Sequence, residues 1–187
     1  VTKDNISSWM YKYEKDLSLI ATVSDNESKS FLEEGYGYDK SIIQNLGVPR
    51  FDNLQKNDKK QILIIPTWRK YLKDNKQAFL ESDYFANLTS LLNNSNLVRE
   101  GYRVAFKPHP ELLKNIGYSD EKFIDLFDIP DNVHLAIEES YHDLLNNSSV
   151  LITDYSSVFF DFAYLKKPVI YYHQNDDYHY EKSYFDY

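Results

Sequence analysis

The sequence has no cysteine among its 187 residues. This absence excludes disulfide bonds, zinc sites with thiolate ligands and cysteine nucleophiles. The chain also has no apolar run that approaches the roughly 20 residues a membrane-spanning helix requires. Its first residues lack the charged-then-apolar layout of a signal peptide. We therefore expect a cytoplasmic domain.

Basic charge is scarce, since 21 Lys and Arg residues face 29 Asp and Glu residues, giving a net charge of -8. Proteins that bind the nucleic acid backbone need a basic face, so a nucleic acid partner is disfavoured. A phosphate-bearing ligand would have to be held by a local cluster. With 42% hydrophobic residues, the chain is long enough for a domain with a real core, which we place over residues 1–187.

Seven apolar runs have the length and composition of strands, and segments with helix signals separate them. The predicted strands lie within residues 17–23, 41–47, 61–68, 102–109, 133–137, 149–155 and 168–173. The predicted helices follow the capping box Ser24 to Glu27, span about 76–94, follow Ser140 and follow Ser156. This alternation predicts βαβ units, a parallel sheet and a layered α/β fold.

The polar segment 51–60 is the best linker candidate, because it offers few groups worth burying and follows a turn-forming Gly-Val-Pro-Arg stretch. The chain begins at Val1 without an initiator methionine and ends without a helix cap or polar tail. We therefore expect it to be part of a longer protein.

Chemically active side chains follow several of the predicted strands, where ligands of open parallel sheets bind. The residues at these strand ends are Thr67 and Arg69, Lys107 and His109, and Thr153, Asp154, Ser156 and Ser157. The sequence therefore predicts that cations, hydroxyls and imidazoles meet at one edge of the sheet.

The stretch from Val150 to Phe162, VLITDYSSVFFDF, joins a buried strand to a predicted helix. A helix that begins near Ser156 or Ser157 would point unpaired N–H groups and the positive end of its dipole beyond the strand, where a phosphate can bind. Asp161 lies four residues after Ser157 and could accept hydrogen bonds from a ribose. The pattern thus suits a nucleotide.

Each of these residues also has a plain structural interpretation. The serines are common helix N-caps, and His109 lies between two prolines, where its ring could bond to the backbone. Thr67 and Arg69 could cover the end of the sheet, and Asp154 could cap its own helix. Polar clusters at successive strand ends nevertheless favour a binding site over a series of coincidences.

Four motifs, in order and at similar spacing, resemble those of the CDP-glycerol glycerophosphotransferases, the teichoic acid primase and polymerase family. They are Gly47–Leu54, Ile62–Arg69, Phe106–Pro110 and Leu151–Tyr172. The resemblance extends from about Leu17 to Tyr187. The last motif is long enough to be specific.

The resemblance implies a GT-B architecture, in which two Rossmann-like domains face each other and the C-terminal one holds the donor nucleotide. This chain would be that C-terminal domain, a three-layer αβα structure with a parallel sheet. The family transfers glycerol phosphate, or in some members ribitol phosphate, from a CDP-linked donor to a hydroxyl of a lipid-linked polymer, releasing CMP. It needs no cofactor or metal, and it works at the inner face of the cell membrane.

The resemblance also assigns roles to the strand-end residues. His109 matches the family histidine and is the expected catalytic residue. The expected donor-phosphate ligands are Arg69, Lys107, Thr153, Ser156 and Ser157. The expected nucleoside contacts are Thr67, Asp154 and Asp161.

The sequence lacks the tryptophan-histidine-glycine type motif with which the family supplies a general base. We therefore expect this chain to be inactive alone, with residues 1–55 forming the last unit of the missing N-terminal domain plus a linker. The sequence leaves open glycerol or ribitol, and primase or polymerase.

Other classes of protein remain possible at this stage. A GT-B glycosyltransferase or a nucleotide-sugar epimerase would use the same sheet edge for a UDP-sugar. A regulatory α/β module would use Asp154 as a phospho-acceptor, although the IIPTWR stretch supplies no further acidic pair. A polymer-binding module would use the 17 tyrosines.

Overall fold

The computed structural model describes residues 10–57, 59–73, 75–94, 101–116 and 125–173. The chain divides into two compact units between Asn53 and Leu54. This boundary lies within the predicted linker segment 51–60. None of the helices in the described ranges is both long and apolar enough to cross a membrane.

The described part of the first unit contains a two-stranded parallel sheet and one α-helix. Strand β1 (Ile20–Thr22) pairs with β2 (Ile43–Asn45), and α1 (Asp25–Glu33) connects them. The Ser24 hydroxyl accepts the Glu27 amide at 3.2 Å, while the Glu27 carboxylate accepts the Val23 amide at 2.7 Å. The predicted capping box is therefore confirmed, since both side chains satisfy amides at the helix start.

The second unit contains a five-stranded parallel sheet. Its strands are β3 (Lys59–Ile65), β4 (Arg103–Phe106), β5 (Val133–Leu135), β6 (Ser148–Thr153) and β7 (Val169–Tyr171). They lie in the order β5-β4-β3-β6-β7, which is the Rossmann arrangement of a first strand with later strands on both sides. Each of the seven predicted runs overlaps a strand.

Five α-helices of this second unit have their bounds within the described ranges. They are α2 (Lys76–Leu80), α3 (Asp83–Leu92), α4 (Pro110–Ile116), α5 (Tyr141–Asn147) and α6 (Phe159–Tyr164). The prediction of one helix over 76–94 was wrong, because Ser82 separates α2 from α3. Its hydroxyl accepts the Phe85 amide at 3.1 Å and donates to the Phe79 carbonyl at 2.6 Å, so it competes with the helical backbone.

The two faces of the sheet carry separate cores, as alternation along a strand requires. On one face, Ile64, Phe106 and Ile152 pack with residues of α2, α3 and α4. On the other face, Leu63 and Leu151 pack with residues of α5 and α6. This arrangement confirms the predicted three-layer αβα fold.

The start of α6 differs from the prediction of Ser156 or Ser157, since the helix begins at Phe159. The preceding residues form a tight turn in which the Phe159 amide donates to the Ser156 carbonyl and the Phe160 amide to the Ser157 carbonyl. Bonds of this i to i+3 type turn the chain more sharply than an α-helix does. The turn leads from the end of β6 to Phe162, which is fully buried.

Candidate functional site

The candidate site lies where β3 and β6 end side by side. After β3 the chain adds β4 and β5 on one side of the sheet, and later β6 and β7 on the other. Such a switch in strand order opens a crevice beyond the carboxyl ends, where α/β proteins bind ligands. The loops 66–69 and 154–157 meet at this point.

An ion pair ties these two loops together inside the protein. The Asp154 carboxylate accepts from Arg69 Nη1 at 3.0 Å and from the Thr67 amide at 2.8 Å. Arg69 Nη1 also donates to the Thr67 carbonyl at 2.9 Å. The side chains of Arg69 and Asp154 are only 1% and 5% exposed. The structure thus brings three predicted site residues together in one hydrogen-bonded network.

Two tyrosines sandwich the Arg69 guanidinium. Its central carbon lies 5.1 Å from the ring centroid of Tyr84 on α3 and 5.4 Å from that of Tyr155 after β6. Cation–π contacts of this kind gain strength when the cation is desolvated. Arg69 therefore joins the ends of β3 and β6 to α3.

Thr153 and Lys107 likewise bond to the backbone of the protein. The Thr153 hydroxyl donates to the Ile65 carbonyl at 2.7 Å and is buried. Lys107 Nζ donates to the carbonyls of Ile137 and Glu139, the latter at 2.7 Å. Burial lowers the pKa of Lys107, while Glu139 and Glu138 act in the opposite direction. Both side chains hold neighbouring strand ends in place.

His109 caps the start of α4. Its Nδ1 atom accepts the Glu111 amide at 3.1 Å, and its carbonyl accepts the Leu112 amide at 2.9 Å. Burial lowers the pKa of His109, Glu111 opposes that shift and Lys114 adds to it. The backbone-bonded interpretation of this histidine is therefore correct, and it leaves the other ring nitrogen for a ligand.

The serines are the most accessible of the predicted phosphate ligands. Ser157 is exposed and Ser156 is half-buried, with its hydroxyl accepting the Val158 amide at 3.4 Å. Asp161 is 4% exposed, whereas Tyr164 on the same helix is 56% exposed. Asp161, which we expected to contact a ribose, is thus buried in this structure.

A small cavity at the junction of β3 and β6 has a volume of about 10 Å³ and is lined in part by Pro66, Thr153, Asp154 and Tyr172. This volume is enough for about one water molecule. A larger ligand must therefore lie outside it, over the loops. No group of three or more metal-ligating side chains occurs in the described ranges.

Sequence reasoning missed Lys167, which is buried at the end of the last motif. Its Nζ donates to the carbonyls of Leu145, Asn146 and Ser148 at 2.8–2.9 Å. A cation at this position satisfies the orphan carbonyls at the end of α5. A lysine directly before the apolar strand β7 was the signal that could have pointed to it.

The strand order defines a Rossmann-like α/β domain whose candidate ligand site lies beyond β3 and β6. A family model described as CDP-Glycerol:Poly(glycerophosphate) glycerophosphotransferase matches residues 2–187. The chain belongs to this family, as the motifs predicted, and the family is one of teichoic acid transferases.

Two relatives illustrate the match. The minor teichoic acid biosynthesis protein GgaB of Bacillus subtilis is 38% identical over 203 residues, covering 100% of this chain and 22% of the relative. A teichoic acid poly(glycerol phosphate) polymerase of Bacillus spizizenii is 33% identical over 163 residues, covering 78% of this chain and 38% of the relative. The chain thus spans well under half the length of these relatives.

Solved structures of the wall teichoic acid polymerase TagF share the fold. One has a TM-score of 0.57 at 21% identity and covers 91% of this chain and 44% of its own. Another has a TM-score of 0.54 at 20% identity and covers 97% of this chain and 45% of its own. These likenesses agree with the predicted GT-B type of Rossmann-like fold.

Proposed function

We propose that this chain is the donor-binding part of an enzyme that transfers glycerol phosphate or ribitol phosphate from a CDP-linked donor. The acceptor would be a hydroxyl of teichoic acid or of a related cell-wall or capsular polymer, and CMP would leave. One observation carries the proposal: in a chain of this family, His109 follows β4 while Ser156 and Ser157 follow β6, so they lie on the two sides of β3 at the carboxyl edge of one parallel sheet.

The donor pyrophosphate would lie over the turn that contains Ser156 and Ser157, whose hydroxyls can donate to phosphate oxygens. His109 would stabilise charge on the departing CMP phosphate. Positioning and electrostatic stabilisation dominate phosphoryl transfer, so hydrogen-bond donors of this type are what the reaction needs.

The remaining predicted ligands would act mainly by holding the site. Arg69 and Asp154 fix the two loops, and Thr153 and Lys107 fix the strand ends, through the bonds described above. Direct contacts of Arg69, Lys107 and Thr153 with the phosphates, and of Thr67, Asp154 and Asp161 with the nucleoside, stay predictions. The second TagF structure was obtained with a 15 minute soak in CDPG, which supports a donor of this class.

The rest of the enzyme would supply the acceptor site and the general base. The relatives are more than twice as long as the matched region, so we propose a GT-B enzyme in which residues 1–55 belong to the N-terminal domain and linker. The chain alone would then bind donor without turnover. A lipid-linked acceptor would place the complete enzyme peripherally at the inner face of the cell membrane.

The test is a donor panel with the complete enzyme that contains this sequence. CMP release from CDP-glycerol or CDP-ribitol, dependent on the polymer acceptor, is the expected result. Ser157→Ala should raise the KM for the donor about tenfold, the effect of one lost hydrogen bond to a charged group. Ser90→Ala, on the exposed side of α3, is the matched control and should leave the KM unchanged. Turnover of UDP-glucose or another UDP-sugar instead would refute the proposal.

A further inference from the structure

The imidazole of His109 is fixed by a hydrogen bond whose direction is certain. The Glu111 backbone nitrogen lies 3.1 Å from Nδ1, and a backbone amide can only donate. Nδ1 must therefore carry a lone pair. A neutral ring then holds its proton on Nε2, which becomes a donor.

The surroundings of the ring oppose a second proton. Protonated Nδ1 would place its N–H against the N–H of Glu111 and lose the capping bond. The His109 carbonyl also accepts the amides of Leu112 and Leu113, so the ring stands at the start of α4, where the partial positive charge of the helix disfavours a cation. Burial acts in the same direction and lowers the pKa of His109.

The charged groups that act on His109 are Glu111 and Lys114, both on α4. Glu111 favours the cation, but Lys114 donates to the Glu111 carboxylate at 2.5 Å, and Lys73, between β3 and α2, also interacts with that carboxylate. The negative charge next to the ring is thus largely offset. Burial remains the largest influence on the pKa of His109, and the backbone bond acts in the same direction.

We infer that His109 serves the transfer as a neutral hydrogen-bond donor through Nε2–H, and that it neither gives nor takes a proton. This inference rests on the proposed function. Within the described ranges Nε2 has no hydrogen-bond partner, so it is available for a donor phosphate oxygen. A neutral donor can stabilise developing negative charge while remaining in the same protonation state.

In the proton balance of the step, His109 then acts neither as an acid nor as a base. The acceptor oxygen forms a bond to the phosphorus that bears the polyol, and the bond from that phosphorus to the bridging oxygen of CMP breaks. The acceptor proton goes to a general base, a side chain supplied by the rest of the enzyme. CMP leaves as an anion that accepts the Nε2–H bond, and His109 keeps its single proton.

The first test needs no donor. Two-bond ¹H–¹⁵N NMR spectra of the labelled 187-residue chain report the tautomer of each of its five histidines, and the pattern lost in His109→Gln identifies His109. We expect the Nε2–H tautomer at pH 7 and a ring that stays neutral well below the ordinary histidine pKa of about 6.5. An Nδ1–H tautomer, or a ring already half protonated at pH 6.5, would overturn the inference.

The second test compares two variants in the complete enzyme. His109→Gln can place an amide N–H near the position of Nε2 and cannot titrate. His109→Asn keeps an oxygen that can cap α4 but is too short to reach as far. We expect kcat within about tenfold of the wild type for the glutamine variant and at least a 100-fold loss for the asparagine variant, with both variants folded.

Equal, large losses in both variants would contradict a neutral donor. So would an acid limb of the kcat–pH profile that requires protonated His109 and disappears in His109→Gln. If the wild-type enzyme turns over no CDP-polyol, the proposed function fails while the NMR result still decides the tautomer. The two failures are therefore distinguishable.

Discussion

The Arg69–Asp154 pair shows that two residues predicted at strand ends also bond to each other. Both were expected at the strand ends, and both lie there. Their exposure of 1% and 5% and their mutual bond at 3.0 Å make them a buried tie between loops. Burying two charges costs desolvation free energy, so such a pair contributes little net stability, yet removing one partner leaves an uncompensated charge.

Removing one member of this pair should therefore destabilise the second unit strongly. Arg69→Met leaves Asp154 buried without its cation, and we expect a loss of about 3–5 kcal/mol in the free energy of unfolding. The double variant Arg69→Met with Asp154→Asn should recover part of that loss, with a coupling of about 0.5–3 kcal/mol. Urea unfolding of all four proteins measures the cycle. Simple additivity of the two single losses would show that the pair does not act as a tie.

The side chains that bond to distant carbonyls mark the limit of prediction at the residue scale. Lys107 donates to residues after β5, and Lys167 donates to residues at the end of α5. Position along the chain places a lysine at a strand end, but its direction depends on which carbonyls the tertiary structure leaves unsatisfied. The sequence therefore located the cations without revealing their partners.

At the scale of elements, capping signals predicted helix starts well where they were complete. Ser24 and Ser140 both accept the amide three residues later, as expected. Ser82 does the same, but Phe85 occupies the position where a capping box has Glu or Gln, so the apolar pattern through this region suggested one continuous helix. The missed break between α2 and α3 follows from that incomplete signal.

The end of α6 carries a residue in an unfavourable conformation. Lys166 has a φ of 55°. Its amide donates to the Ala163 carbonyl at 2.9 Å, and the Lys167 amide donates to the Phe162 carbonyl at 3.0 Å. These bonds form a Schellman motif, whose left-handed residue is usually glycine.

Lys166→Gly should therefore stabilise the protein, because glycine adopts this conformation without a steric cost. The relief of about 1–2 kcal/mol is partly offset by the greater freedom of glycine in the unfolded chain, so we expect a net gain of about 0.5 kcal/mol. Urea unfolding provides the measurement, and Lys166→Ala is the control that keeps a Cβ atom and should show no gain. A glycine variant less stable than the alanine variant would contradict this account of the turn.

At the scale of the whole molecule, the sequence predicted the class of fold but not the grouping of strands. Every predicted strand run overlaps a strand, because buried parallel strands have continuous apolar sequences. The separation of β1 and β2 into their own sheet depends on pairing between distant segments, which composition and periodicity do not encode. The division between Asn53 and Leu54 lies within the polar segment 51–60 that the sequence indicated as a linker.

The most direct test of the central claim is calorimetric titration of the 187-residue chain with CMP, CDP-glycerol, UDP and UDP-glucose. The account predicts binding of the cytidine nucleotides and not of the uridine nucleotides. It also predicts an affinity about tenfold weaker in Ser157→Ala, consistent with one lost hydrogen bond to a charged phosphate, and unchanged in the exposed control Ser90→Ala. Equal binding of uridine and cytidine nucleotides, or cytidine binding that Ser157→Ala leaves intact, would contradict a CDP-linked donor site at the ends of β3 and β6.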